Sequence, residues 1–298
     1  MTAALLAAIE GKILLSDGAM GTQLQLAGLE PGECGEHWNL THPEIVEGVQ
    51  RAYAVAGSDI LITNTFGACR LALERHGLAD EVTNINRAGV EIARRAMGDK
   101  HGFILGDIGP FGGLMEPYGE TPEADVRSAF AEQAEALVSA GVDGIIVETQ
   151  TAFEEAGLGI EAALKAGSPC VIVSFSFDVS HDGADLRTMM GINPEAAAEF
   201  AKNAGADIIG INCGSHVDID WAIAATKRYR NTCDLPVMAQ PNAGQPELIE
   251  FKTVYRQTPE EMASKVVQLA EAGASIIGSC CGSTPETIAA MRQNLNGE

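Results

Sequence analysis

Short apolar runs alternate with stretches of helical periodicity along the whole chain. The runs are apolar at consecutive positions, which is typical of strands buried on both faces of a parallel sheet. The predicted strands cover residues 12–16, 60–64, 103–107, 144–148, 170–176, 207–212, 236–240 and 275–279. The predicted helices cover residues 43–56, 70–76, 83–97, 123–140, 152–166, 194–204, 219–229 and 259–272, and a last helix begins at about Pro285.

The junctions between helix and strand resemble one another. Ala-Gly-x-Asp occurs at residues 56–59, 140–143 and 204–207, and Ala-Gly-Ala-Ser at 272–275, each time before an Ile-rich run. The glycine fits the position that ends a helix. Strands that alternate with helices indicate parallel pairing, so the sequence predicts an α/β protein with one (β/α)8 TIM barrel domain over residues 1–298. An open doubly wound sheet is the competing topology.

Composition narrows the classes of partner. The net charge of −22 argues against nucleic acid and anionic membranes, since both need a basic face. The N-terminal ten residues lack the basic region of a signal peptide, and no apolar run has the length of a membrane span. Seven cysteines in a chain of this size fit a reducing compartment better than a disulfide framework, so a cytoplasmic location is expected.

Polar and metal-binding residues follow the predicted strands. Active sites of (β/α)8 barrels lie at the C-terminal ends of the strands. Those ends carry Asp17, Asn64, Asp107, Glu148, Asn212 with Cys213, Asn242, and Cys280 with Cys281. Taken singly, Asn64, Asp107 and Asn242 are interpreted as turn residues, but the coincidence of all these side chains at one end favours a site.

Three of the cysteines follow two similar strands. Cys213 and the adjacent pair Cys280 and Cys281 are each followed by a glycine. Gly282 allows the backbone to turn, so that neighbouring thiols can share one target. Three thiolates leave a fourth position open, as in catalytic zinc sites. The spacing leaves two alternatives open, a vicinal disulfide or redox pair and ordinary buried thiols. The latter interpretation is given to Cys34, Cys69, Cys170 and Cys233.

Six motifs carry a resemblance to a known family. They are Asp17-Gly-Ala-Met-Gly-Thr, Asn64-Thr-Phe-Gly, Gly106-Asp-Ile-Gly-Pro, Glu148-Thr, Gly210-Ile-Asn-Cys-Gly and Gly278-Ser-Cys-Cys-Gly-Ser-Thr-Pro-Glu. In this order, over essentially the whole chain, the sequence resembles the homocysteine S-methyltransferase family. That family includes the homocysteine domain of cobalamin-dependent methionine synthase, betaine–homocysteine methyltransferases and enzymes that use S-methylmethionine.

The resemblance implies a fold, a metal and a reaction. The fold is a (β/α)8 barrel, and zinc is held by the cysteines at the positions of Cys213, Cys280 and Cys281. The homocysteine sulfur takes the fourth position, where a thiol is deprotonated and becomes a nucleophile. It then attacks an electrophilic methyl group and methionine is formed.

The resemblance also implies how the amino-acid end of homocysteine is held. Asp17 and Glu148 match acidic residues that the family uses for the ammonium group. The backbone N–H groups of the Gly18 and Ala19 turn are expected to bind the carboxylate, as glycine-rich turns do for anions. A turn-stabilising role is the alternative for Asp17.

The methyl donor is predicted from smaller likenesses. Residues 109–119 and 258–263 resemble the methionine-synthase branch, and Gly67 and Thr149 stand where animal betaine enzymes carry tyrosines. We therefore expect a methylated corrinoid or folate system on a separate protein. A small betaine or sulfonium donor is the alternative, for which Trp38 would form one wall of an aromatic cage. A non-catalytic barrel subunit of a corrinoid complex is the alternative of another class.

Two long segments separate a strand from the following helix. Residues 178–193 follow the fifth predicted strand, and residues 241–258 follow the seventh. Loops of this length in a barrel are often lids or binding loops. We expect each to cover the site or to form the interface of a homo-oligomer.

Overall fold

A computed structural model describes residues 3–180, 183, 185–214, 217–249 and 252–297, with backbone alone at 248–249 and 252–253. Eight parallel strands form a nearly closed barrel in the order β1-β8-β7-β6-β5-β4-β3-β2. They are β1 (Leu14–Leu15), β2 (Ile60–Ile62), β3 (Phe103–Ile108), β4 (Gly144–Gln150), β5 (Val171–Phe175), β6 (Ile208–Asn212), β7 (Val237–Gln240) and β8 (Ala274–Ile277). Each strand from β3 to β8 pairs with its predecessor in sequence and β8 pairs with β1, so the predicted (β/α)8 barrel is confirmed and the doubly wound alternative is wrong.

Helices surround the barrel close to their predicted positions. They are α1 (Pro43–Ala56), α2 (Val82–Met97), α3 (Glu123–Ser139), α4 (Phe153–Ala166), α5 (Pro194–Ala204), α6 (Ile219–Thr232), α7 (Pro259–Ala263), α8 (Val266–Glu271) and α9 (Pro285–Asn296). The one helix predicted over 259–272 is therefore two. The break lies at Ser264, whose hydroxyl donates to the Glu261 carbonyl at 2.6 Å and so competes with the helix ladder. No described helix is long and apolar enough to cross a lipid bilayer.

A short helix, Ala4–Ile9, fills the N-terminal end of the barrel. Its Leu5 packs against an apolar layer to which every strand contributes, from Leu14 of β1 to Ile276 of β8. Alanine and leucine are strong helix formers, which explains why this stretch is helical. The sequence predicted no element here. With this end plugged by apolar side chains, a site has room only at the opposite, C-terminal end of the strands.

The repeated Ala-Gly-x-Asp junction has a structural reason. Each aspartate accepts a hydrogen bond from the backbone of the preceding strand: Asp59 from Leu15 at 2.9 Å, Asp143 from Ile104 at 2.7 Å and Asp207 from Val171 at 2.8 Å. These carboxylates satisfy donors at the starts of strands.

Strands β1 and β2 meet at a seam with few ladder bonds. One backbone bond joins them, from the Asp59 N–H to the Leu15 carbonyl at 2.7 Å. Aspartate side chains add two more, since the Leu15 N–H donates to Asp59 and the Ile62 N–H donates to Asp17 at 2.8 Å. Asp17 therefore helps to close the barrel at the end where the site lies.

Candidate metal and substrate site

The structure brings the three predicted cysteines together. Cys213 directly follows β6, and Cys280 and Cys281 lie in the turn after β8. The Cys281 sulfur lies 3.9 Å from each of the other two, and all three sulfurs lie within 4.8 Å of one another. Zinc–sulfur bonds of about 2.3 Å in a tetrahedron place sulfurs about 3.8 Å apart. The three cysteines therefore fit zinc with one position left for another ligand.

Two glycines and one strained residue shape this cluster. Cys213 has a left-handed backbone with φ of 56°, which is uncommon outside glycine and occurs at functional sites. Gly214 follows with φ of 94°, and a side chain there would overlap the Phe177 carbonyl. Gly282 has φ of 80°, and a side chain there would overlap the Tyr255 ring. Glycine is needed at both turns for the sulfurs to converge.

The sulfurs are free thiols that perturb one another. All seven cysteines are unpaired, and the 3.9 Å between Cys280 and Cys281 is far beyond the disulfide bond length of about 2.05 Å. Hydrogen bonds from the Cys213 and Cys280 thiols lower the pKa of Cys281 to about 3. The pKa of Cys280 is raised by hydrogen bonding to the same neighbours and by burial. The cluster thus favours a thiolate, which is the form that binds metals.

A cavity of about 70 Å³ adjoins the cluster and is lined by Cys280 and three carboxylates. Asp17, Asp107 and Glu148 are only 3%, 5% and 9% exposed. Burial raises the pKa of all three, and that of Glu148, which also faces the charge of Cys213, rises to about 7. No lysine, arginine or histidine is among the described residues that line this cavity. We call it the carboxylate cavity. Because a nearby positive charge favours the ionised form of carboxyl groups, this lining suits a cationic ligand.

Several polar atoms in the carboxylate cavity have no partner. Oδ1 of Asp107, Oε1 of Gln240 and Oγ of Ser279 are buried without a hydrogen bond. Buried polar atoms are rarely left unpaired, so these three point to a polar ligand. Sequence reasoning interpreted Asp107 alone as a turn residue and missed Gln240 and Ser279. The available signal was position, because Gln240 ends β7 and Ser279 follows β8.

Glu148 is held in the cavity by a distorted end of β4. Thr149 has φ of 59°, and the pairing of β4 with β5 shifts register between Val147 and Gln150. Asn212 stabilises this turn, because its Oδ1 accepts from the Thr149 N–H at 3.2 Å and its amide donates to the Thr149 hydroxyl at 2.7 Å. Ser174 fixes the Asn212 orientation by donating to Oδ1 at 2.6 Å.

In the turn predicted to bind the substrate carboxylate, one of the two backbone N–H groups already has a hydrogen-bond partner. Gly18 and Ala19 both line the carboxylate cavity. The Ala19 N–H already donates to the Ser283 hydroxyl at 3.0 Å, while the Tyr53 hydroxyl donates to the Ala19 carbonyl at 3.0 Å. A side chain at Gly18 would crowd Ser283 and Tyr53. Of the two backbone donors predicted for the carboxylate, the Ala19 N–H therefore already has an acceptor.

Comparison with known proteins identifies the family. The family model described as homocysteine S-methyltransferase matches residues 14–295. The chain belongs to the homocysteine S-methyltransferase family. It is therefore a member of a family of methyltransferases, as the motifs at the strand ends predicted.

Relatives of this chain are known by sequence and by structure. Methionine synthase of Mycobacterium tuberculosis is 32% identical over 300 residues, which cover 95% of this chain and 25% of that protein. The corresponding enzyme of Mycobacterium leprae is also 32% identical, with 24% of its length covered. The chain thus spans about a quarter of these relatives. The metallated homocysteine methyltransferase MmuM from Escherichia coli is 25% identical with a TM-score of 0.78, covering 97% of this chain and 99% of that chain.

A second, larger cavity of about 690 Å³ shares the Glu148–Thr149 segment with the carboxylate cavity. We call it the vestibule. It is lined by residues 110–118, by Thr149, Thr151, Ala152, Glu154 and Glu155, and by Met189 and Met190. Tyr118 and Met189 are 72% and 71% exposed, and Leu114 and Met190 are also exposed. Thr149 connects the vestibule to Glu148, and the two methionines come from the segment 178–193.

Trp38 does not contribute to either cavity. It packs in an apolar cluster with Leu24, Val46 and Ile92, and its ring centroid lies 4.6 Å from that of His42. The expectation that Trp38 would form one wall of an aromatic cage is therefore wrong. The indole is buried among the helices, where it contributes to the hydrophobic core. The sequence alone cannot distinguish such a core tryptophan from one that lines a ligand site.

Proposed function

We propose that the protein is a zinc-dependent homocysteine S-methyltransferase that forms methionine. The observation that carries the proposal is a cluster of three cysteine sulfurs at tetrahedral spacing beside a buried carboxylate cavity. Cys213, Cys280 and Cys281 would hold the metal. Zinc held there would keep the thiol of homocysteine ionised at neutral pH, and the three cysteine thiolates would leave that sulfur electron-rich.

The carboxylate cavity would hold the amino-acid end of homocysteine. Cys280 lies in its wall, so a short aliphatic chain can connect the sulfur at the metal to an ammonium among Asp17, Asp107 and Glu148. A bound cation favours the charged form of all three carboxylates and offsets the cost of their burial. The Gly18 N–H is the proposed donor to the substrate carboxylate. Asp107 is added to the two carboxylates predicted from the sequence, Asp17 and Glu148, because its Oδ1 is buried without a hydrogen-bond partner.

We further propose a methylated corrinoid or folate donor on a separate protein. The methionine synthases that share 32% of residues are about four times longer than this chain, which leaves room for other domains in them. The vestibule is wide, and its rim exposes Leu114, Tyr118 and Met189, as expected for a surface that a partner covers. The burial of Trp38 weakens the case for a betaine cage.

A small cationic donor is the second candidate. Three carboxylates line the vestibule, those of Glu116, Glu154 and Glu155, and one guanidinium, that of Arg75, lies against Gly112 of its wall. Carboxylates beside the aromatic rings of Phe111 and Tyr118 suit a sulfonium or quaternary ammonium group. For this reason betaine and S-methylmethionine are included among the methyl donors to be tested.

Methionine formation from homocysteine with each donor in turn tests these proposals. The donors are methylcobalamin, methyltetrahydrofolate, betaine and S-methylmethionine, each supplied to the zinc-loaded protein, with the Cys280→Ser variant as control. We expect methionine with methylcobalamin and none with betaine. Formation of methionine from betaine or S-methylmethionine would show that the methyl donor is a small cation, the second candidate. Absence of methionine with every donor would favour the non-catalytic subunit.

A further inference from the structure

Two buried side chains hold the turn of Gly18 and Ala19 from outside the carboxylate cavity. Tyr53 lies on α1, and Ser283 lies in the turn after β8. Both side chains are completely buried, and neither is among the described residues that line the cavity. A Cβ atom at Gly18 would lie 2.5 Å from the Ser283 hydroxyl oxygen and 3.0 Å from the Tyr53 hydroxyl oxygen. Only glycine therefore leaves room for these two hydroxyl groups.

Both backbone polar groups of Ala19 are bonded to these hydroxyl groups. The Ala19 N–H donates to the Ser283 hydroxyl at 3.0 Å, and the Tyr53 hydroxyl donates to the Ala19 carbonyl at 3.0 Å. Because the peptide bond is planar, fixing the Ala19 N–H also fixes the carbonyl and Cα atom of Gly18. Glycine has more backbone freedom than other residues, so an unsupported turn at this position would adopt many conformations. The two contacts reduce that freedom.

Ser283 also joins this turn to the turn that carries the cysteine pair. Its hydroxyl donates to the Cys280 carbonyl at 2.7 Å while it accepts the Ala19 N–H, so one hydroxyl group is bonded to both turns. A second bond between the turns runs from the Gly282 N–H to the Thr22 hydroxyl at 3.3 Å. These contacts fix the position of the proposed carboxylate-binding turn relative to a proposed metal ligand.

A second buried tyrosine provides a comparison for Tyr53. Buried tyrosine hydroxyl groups usually find a hydrogen-bond partner wherever they lie. Tyr229 of α6 is also completely buried, and its hydroxyl donates to the Gly210 carbonyl at 3.1 Å. Neither Tyr229 nor Gly210 belongs to the lining of the carboxylate cavity, within the part of the chain that the structure describes. Tyr53 differs because its acceptor, Ala19, lies in the wall of that cavity.

We propose that Tyr53 and Ser283 are positioning residues that orient the turn of Gly18 and Ala19 for the carboxylate of homocysteine. Their hydroxyl groups fix both backbone polar groups of Ala19, so that the Gly18 N–H is oriented before the substrate arrives. A donor that is already oriented loses little conformational freedom on binding, which raises the affinity. Because neither side chain lines the cavity, both act through the turn and on the carboxylate alone. This inference rests on the proposed binding of homocysteine in the carboxylate cavity.

Two ligands that differ only in the carboxylate test the inference. Homocysteine and 3-aminopropanethiol, which keeps the thiol and the ammonium group, are titrated calorimetrically into the zinc-loaded protein. We expect Tyr53→Phe to weaken homocysteine binding about fivefold, the equivalent of one neutral hydrogen bond, and to leave the binding of 3-aminopropanethiol unchanged. Ser283→Ala should show the same pattern with a larger loss, because it removes a bond to each turn. Tyr229→Phe, the matched control, should change neither affinity.

Metal analysis and circular dichroism of each variant accompany the titrations. If Tyr53→Phe weakens both ligands equally, or weakens neither, the inference is wrong, because the tyrosine then acts on the fold and not on the carboxylate. If Tyr53→Phe does not fold, Ser283→Ala decides by the same criterion. Wild-type protein that binds no zinc, or that binds homocysteine no more tightly than 3-aminopropanethiol, would instead contradict the proposed function or its carboxylate contact. Those outcomes are separate from the pattern among the variants.

Discussion

The side-chain amide of Asn212 donates a hydrogen bond of 2.7 Å to the hydroxyl of Thr149. Thr149 directly follows Glu148 of the carboxylate cavity, and Asn212 directly precedes Cys213 of the cysteine cluster. One side chain thus joins the strand that carries a proposed substrate ligand to the strand that carries a proposed metal ligand. It also holds Thr149 in its left-handed backbone, which is unfavourable for a β-branched residue.

Asn212→Ala is predicted to weaken homocysteine binding. Without the amide, Thr149 is free to leave its left-handed conformation, and Glu148 moves with it. The Ser174 hydroxyl loses its acceptor, so we also expect a loss of about 1–3 kcal/mol in the free energy of unfolding. Calorimetric titration with homocysteine and denaturant unfolding measure the two effects. Asn84→Ala, which removes an exposed amide bonded to Glu81, serves as control. An unchanged homocysteine affinity would contradict the assigned role.

Cys280→Ser is predicted to abolish stoichiometric zinc binding. A serine hydroxyl is a poor substitute for a thiolate, and two cysteines alone form an incomplete site. Metal analysis after dialysis should find about one zinc per wild-type chain and far less in the variant. Cys233→Ser, at a buried thiol at the end of α6, should retain the metal. Full zinc occupancy in Cys280→Ser would exclude this cysteine as a ligand.

Glu148→Gln is predicted to weaken homocysteine binding and to leave the zinc content intact. The change preserves the shape of the side chain and removes its charge, with an expected cost of about 2–5 kcal/mol for a buried charge pair. Glu154→Gln, on the exposed vestibule side, is the matched control. 4-Mercaptobutanoate, which lacks the ammonium group, should not discriminate between wild type and Glu148→Gln. If it discriminates as strongly as homocysteine, the ammonium is bound elsewhere.

Arg228→Met is predicted to reduce stability at neutral pH but not in acid. Arg228 donates to both carboxylate oxygens of Glu195, at 2.6 and 2.5 Å, and these bonds lower the pKa of Glu195. Because the folded pKa lies below the unfolded value of about 4.3, the contribution is present above that pH. It is lost as the pH falls through the folded pKa. Glu195 is partly exposed, so we expect no more than about 1 kcal/mol.

Thermal unfolding of Arg228→Met and wild type at pH 7 and pH 3 measures this difference. The two melting temperatures should converge at the lower pH. Arg87→Met, at an exposed arginine 3.8 Å from Glu91, should have a smaller effect at both. A difference that persists unchanged in acid would show that Arg228 acts through packing of its aliphatic part.

The sequence predicted the features that depend on local pattern. The strands are continuous apolar runs, and the ends of those runs indicated that Cys213, Cys280 and Cys281 lie at one end of the barrel. The backbone of Thr149 was not predictable, because its left-handed conformation depends on Asn212, 63 residues further along the chain. Gln240 and Ser279 have no distinctive residue type, and only the closed barrel reveals that they line the cavity.

The seam between β1 and β2 has a consequence for ligand binding. Asp17 accepts the Ile62 N–H across the seam and also lines the carboxylate cavity. On the proposed mode of binding, an ammonium group on Asp17 anchors the same carboxylate that holds the barrel shut. Substrate affinity and resistance to local opening then share one side chain. On that mode of binding, we expect amide exchange and proteolytic attack along this edge to slow when homocysteine is added.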